Sequence, residues 1–99
     1  MTAKITTRPF DPARYLTSPE AIAAYLETAF EDGDPAFMAD ALGVVARATG
    51  MTSIAKQTGL GRESLYKSLS VDGHPELATV VKVIHALGLR LSVEPAAVK

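Results

Sequence analysis

Apolar residues recur along this chain at three- and four-residue spacing in short segments, and prolines, glycines and acidic residues separate those segments. Ile22, Tyr25, Leu26, Ala29 and Phe30 predict a first helix with one buried face, leaving Glu27 and Glu31 in water. Ser18 stands where a side chain would cap that helix, and Pro19 falls at its first position, where a missing N–H costs nothing. The pattern stops at Asp32-Gly33, and Asp34-Pro35 repeats the same start. Phe37, Met38, Ala41, Leu42, Val45 and Ala46 carry a second helix to about Thr49, closed by Gly50, and its many alanines predict close contact with a neighbouring helix. Two short helices, over about residues 53–58 and 62–69, flank Gly59-Leu60-Gly61. A last helix over about residues 75–87 carries Leu77, Val80, Val81, Ile84 and Leu87, with Gly88 placed as a left-handed C-terminal cap.

The period then changes. Leu89, Leu91 and Val93 alternate with Arg90, Ser92 and Glu94 until Pro95 stops the run, which predicts one amphipathic strand over residues 89–94. No other segment alternates convincingly, so the strand calls for a second chain to satisfy its edge. Self-pairing would put Leu89, Leu91 and Val93 in a homodimer interface; addition to a different partner's sheet is the other outlet. Residues 1–17 lack a helical period and contain Thr-Thr-Arg-Pro-Phe-Asp-Pro, which reads as an extended arm with Phe10, Tyr15 and Leu16 as possible anchors. That arm either straps its own core or meets a partner. The expected architecture is therefore an extended arm and, over residues 18–99, one all-α domain of five helices with a single short strand.

Composition changes this picture little. An apolar fraction of 47% with 21% charged residues is that of a globular chain, and 99 residues bury one core. The absence of cysteine removes disulfides, Cys-ligated zinc and thiol nucleophiles, and makes a cytoplasm the expected compartment. No run approaches the roughly 18 apolar residues of a membrane span. The net charge of -1 is uninformative, but its distribution is not. Residues 1–43 hold three basic against seven acidic side chains, and residues 44–90 hold six basic against three acidic. An acidic half joined to a basic half suits a chain that meets nucleic acid with one face only.

The basic half contains the informative stretch, residues 52–69. Where two short helices cross steeply, a small residue is needed at the crossing, which Ala55 supplies, and a positive φ is needed at the reversal, which Gly59 supplies. Ile54, Leu60, Leu65 and Leu69 then fall inward, while Arg62, Glu63, Tyr66 and Lys67 face outward. This is the pattern of a helix-turn-helix whose second helix is free to lie in a major groove of double-stranded DNA. A helical bundle used only for protein contacts would share the spacing.

Taken with Phe10-Asp-Pro-Ala-Arg-Tyr-Leu16, Ile22-Ala-Ala-Tyr-Leu26, Gly33-Asp-Pro35 and Ala86-Leu-Gly-Leu-Arg-Leu91, this stretch resembles the addiction-module antidote family, HigA-like antitoxins of the Xre/Cro class. The resemblance implies a lambda-repressor-like domain that binds and silences a small basic ParE/RelE-superfamily (HigB-like) toxin and represses its own operon; a homodimer is expected on other grounds, because a near-neutral monomer has too few basic groups for tight binding and two-fold symmetry doubles them. It implies base reading by Arg62, Glu63 and Lys67, helped by Ser64 and Tyr66, with Thr52, Ser53 and Gln57 on phosphates. If residues 89–94 pair with themselves, the arm with Phe10, Tyr15 and Leu16 and the acidic first helix are left to meet such a toxin. Two departures stand out: Gly61, where a capping serine or threonine is usual, and His74, where an asparagine would better cap a helix starting at Pro75.

An enzyme needs a nucleophile, base and orienter, or a metal set, and the chain offers neither. His74 and His85 lack metal-ligand spacing, and Glu31, Asp32 and Asp34 read as a solvated helix end. No catalysis, metal or cofactor is expected. A stand-alone phage-type repressor without a toxin partner is the alternative to the antitoxin.

Overall fold

The computed structural model describes residues 12–96, and its first three helical segments each begin on a proline. Helix α1 (Pro12–Tyr15) is a single turn, α2 spans Pro19–Phe30 and α3 spans Pro35–Thr49. Ser18 Oγ accepts from the Ala21 N–H at 3.1 Å and Asp34 Oδ1 accepts from the Ala36 N–H at 3.2 Å, so both expected caps form. Part of the segment read as an extended arm is thus helical, and Leu16, beyond α1, is buried in the chain's own core. Phe10 lies outside the described residues.

Helices α4 (Met51–Thr58), α5 (Arg62–Ser68) and α6 (Leu77–Ala86) complete the fold. A single residue separates α3 from α4. The Gly50 N–H closes α3 on the Ala46 carbonyl at 2.9 Å, and its own carbonyl accepts from the Ile54 N–H at 3.1 Å to open α4. The expected start of this helix near residue 53 is therefore two residues late, and Met51 is buried. Helix α3 packs against α1, α2, α4 and α5, while α4 packs against α3, α5 and α6, so these two helices form the centre. Small residues, Ala39, Ala41, Gly43 and Ala46, are among the buried positions of α3.

The core gathers Leu26, Leu42, Val45, Ile54, Leu65, Leu69 and Val83 with smaller neighbours. Each large side chain buried in this way contributes about 1.5–3 kcal/mol relative to exposure. Gly43 is mid-helix, where glycine normally costs about 1 kcal/mol against alanine. Its side has no room: a Cβ there would overlap the Leu69 carbonyl at the end of α5.

Helix α6 departs from expectation at its N-terminal end. His74 adopts a left-handed backbone (φ +54°) before Pro75, so the helix begins only at Leu77, with an extended Glu76 as N-cap and no side-chain cap. His74 therefore caps nothing, which corrects the role expected of it. Leu77, expected inward, is 74% exposed; the buried face runs Val80, Val83, Ile84 and Leu87. The C-terminus closes as expected: Gly88 N–H donates to the His85 carbonyl at 3.0 Å and Leu89 N–H to the Ile84 carbonyl at 3.1 Å, the paired bonds of a Schellman motif.

The strand expected over residues 89–94 is not formed in the single chain, and among the described residues there is no strand. A ladder needs a second row of N–H and C=O groups, which no segment among the described residues supplies. Leu89 instead packs on the core as the hydrophobic contact of the Schellman motif, while Leu91 and Val93 are exposed. No helix among the described residues is long and apolar enough to cross a membrane.

Candidate nucleic-acid interface

The α4–α5 unit is held by its inward side and by a hydroxyl. Ile54, Leu65 and Leu69 are buried, and Ala55 and Leu60 pack partly against them. Gly59 turns the chain with φ +74° and ψ 12°, a conformation that costs residues with a Cβ, while its N–H donates to the Ala55 carbonyl at 2.9 Å. Thr58 fastens the turn from above: its Oγ1 donates to the Ile54 carbonyl at 2.8 Å and accepts from the Leu60 N–H at 3.2 Å. Sequence reasoning passed over Thr58, although a threonine at the last position before a glycine turn is a recognisable local signal.

With the hydrophobic side occupied, the remaining positions face out. Thr52, Ser53 and Gln57 are exposed on α4, and Arg62, Glu63, Ser64, Tyr66 and Lys67 on α5. Gln57 Nε2 donates to Ser53 Oγ at 3.1 Å, joining two of the three side chains expected on phosphates. On α5, the Arg62 guanidinium carbon lies 5.3 Å from the centroid of the Tyr66 ring, one turn further along. Helix α5 opens at Gly61 with no side-chain cap, in keeping with the departure noted at that position. With Arg62 and Lys67 against Glu63, its exposed face is net positive.

The other half of the surface has the opposite sign. Glu20, Glu27 and Glu31 on and after α2 are exposed, as are Asp32 and Asp34 in the following turn. Tyr25 on the partly buried side of α2 has its hydroxyl pKa raised above 10.0, first by burial and then by the Asp40 charge, with Arg47 opposing both. An open groove lies between α2 and the C-terminal segment, lined by Leu26, Glu27, Phe30, Leu89, Leu91 and Glu94 among others. Of the three arm residues expected to meet a partner, Tyr15 is 54% exposed and Leu16 is spent on the core.

The chain is 45% identical over 85 residues to a protein of Haemophilus influenzae named only "Uncharacterized protein", an alignment covering 86% of this chain and 88% of that one. No solved structure matches it significantly. The match that assigns it spans residues 6–95 and is to the family described as "Probable addiction module antidote protein", so this chain belongs to the addiction-module antidote family.

Proposed function

We propose that this chain is a DNA-binding antitoxin that neutralises a ParE/RelE-superfamily (HigB-like) toxin and represses its own operon. Family membership supports the antidote role and, in general, a toxin partner. The observation that carries the DNA-binding part is the division of α5: Leu65 and the following Leu69 are buried, while Arg62, Glu63, Ser64, Tyr66 and Lys67 are all exposed just beyond a glycine turn. A helix of the Xre/Cro kind placed in this way can enter a major groove with its side chains on base edges, while Thr52, Ser53 and Gln57 hold phosphates.

The test separates these roles. Arg62→Ala is expected to lose about 1–3 kcal/mol at one base pair, the worth of a bidentate contact to guanine. Lys67→Ala should weaken binding evenly across sequences and reduce the salt slope by about one if it serves a phosphate. Both variants should melt like the parent, because both positions are exposed. Two variants that bind the preferred duplex as tightly as the parent would remove α5 as the recognition helix.

A homodimer fits this reading, since a near-neutral chain doubles its few basic groups through two-fold symmetry, with half-sites about 34 Å apart or a multiple of it. Exposure of Leu91 and Val93 supports pairing of residues 89–94 across that axis. Acidic α2 is then left to meet a basic toxin. Leu91→Pro removes a ladder N–H and should give a monomer with an unchanged helical spectrum. A Leu91→Pro chain that stays dimeric but fails to bind the toxin would assign the strand to the partner.

A further inference from the structure

The Arg62–Tyr66 pair is a built feature of the exposed face of α5. The two residues are separated by four positions, so they sit one above the other on one side of the helix. The guanidinium carbon is 5.3 Å from the ring centroid, within the reach at which a cation is attracted by an aromatic face. Neither side chain is needed for the core, which is filled beneath them by Leu65 and Leu69.

A guanidinium has two separate ways to bind. Its flat π surface stacks, and its edge carries N–H donors in a fixed fork. Contact with the Tyr66 ring cannot engage all five donors of the guanidinium, so part of the fork stays available to another partner. That fork is the part that fits the O6 and N7 acceptors of guanine in the major groove. A free arginine must give up many rotamers to make this contact, and one held over a ring has given up part of them beforehand.

We propose that Tyr66 is a positioning residue that holds Arg62 ready to read the major-groove edge of a guanine, so that specificity at that base pair belongs to the pair of residues and not to Arg62 alone. This rests on the reading of α5 as the DNA-facing helix. The phenol oxygen has no part in it; the aromatic face does the holding.

The experiment uses the full chain and a pool of random-sequence duplexes, from which the preferred duplex is selected and resynthesised with each guanine in turn replaced by 7-deazaguanine, which lacks the N7 acceptor. For the parent chain, one guanine per half-site should show a penalty of about tenfold or more, and Arg62→Ala should abolish that penalty alone. Tyr66→Ala should shrink it by about two- to fivefold, with the salt slope and melting temperature unchanged, and Tyr66→Phe should restore it. A Tyr66→Ala chain that keeps the full penalty overturns the proposal, as does one that loses affinity through a smaller salt slope, because Tyr66 would then be holding Arg62 on a phosphate and not on a base. If every guanine penalty survives Arg62→Ala while DNA binding persists, the pair is not the reader although the wider function stands. A pool from which no duplex is enriched removes both.

Discussion

The two halves of this molecule secure their helices in different ways. In the acidic N-terminal half, α2 and α3 are each opened by a proline and a side-chain cap, from Ser18 and Asp34. In the basic C-terminal half, α4, α5 and α6 open at Gly50, Gly61 and Glu76 with no side-chain cap at all. What holds those three is burial, since Ile54, Leu65, Leu69 and Val83 are almost wholly inside. Burial holds both halves, and the first adds local caps that the second lacks. Helices of eight, seven and ten residues are too short to persist alone in water, so the proposed DNA-facing surface exists only while the core beneath it does. Its outward side chains are in turn free of structural duty.

Breaking the core under α5 should give the largest effect. Leu65→Ala removes a side chain that is 1% exposed and should cost about 3–4 kcal/mol, read as a fall in the urea midpoint. One core serves both halves, so the transition should stay single. A variant in which α4 and α5 melt while α2 and α3 persist would make the halves separable. Next comes Gly43→Ala, at the contact between the halves. Alanine favours the helix by about 1 kcal/mol, but its Cβ would have to displace the Leu69 carbonyl, and a net loss of about 1–2 kcal/mol is expected from overpacking. A raised melting temperature would mean that α5 yields at no cost.

These two positions also mark how far the sequence could be read. Ser18-Pro19, Asp34-Pro35 and Gly59 announce their structures through neighbours a few residues away, and the structure forms each of them. The need for glycine at 43 depends on Leu69, which is distant along the chain, and has no local signature. On α6 the expected inward face holds at Val80, Ile84 and Leu87 but not at Leu77, for a related reason. Leu77, Val80, Val81 and Val83 offer two overlapping apolar faces, and only docking against α4 decides that Val83 turns inward and Leu77 outward. Alternation over residues 89–94 is a property of the sequence, but a strand is a property of two segments, and the described residues of the single chain offer no partner segment. At the candidate site the exposure of Arg62, Glu63, Tyr66 and Lys67 followed from the period of α5. The placement of the Arg62 guanidinium over the Tyr66 ring did not, because spacing permits such a contact without choosing the rotamers that make it.

The smallest effects test the difference in capping directly. Ser18→Ala deletes the hydroxyl that receives the Ala21 N–H and should destabilise the chain by about 1 kcal/mol. Gly61→Ser attempts the reverse at the start of α5. Gly61 has φ −68° and ψ 137°, the extended geometry of a capping residue, so a side chain fits its backbone without strain. A Cβ there would lie 3.5 Å from Ser64 Oγ, an ordinary contact. The new hydroxyl can accept from a backbone N–H in the first turn that now lacks a side-chain cap, and the gain should be a few tenths of a kcal/mol, since glycine is itself a tolerable N-cap. Serine also narrows the unfolded ensemble relative to glycine, which adds to the gain, for a total of about 0.5 kcal/mol. The measurement is a matched pair of urea titrations with the slope held common. If Gly61→Ser stabilises the chain and Ser18→Ala destabilises it, the asymmetry between the halves is one of local chemistry, and α5 has been left uncapped at a cost that burial of Leu65 and Leu69 covers. If Gly61→Ser is neutral, burial alone already fixes the first turn of α5, and the two halves differ in kind and not only in degree.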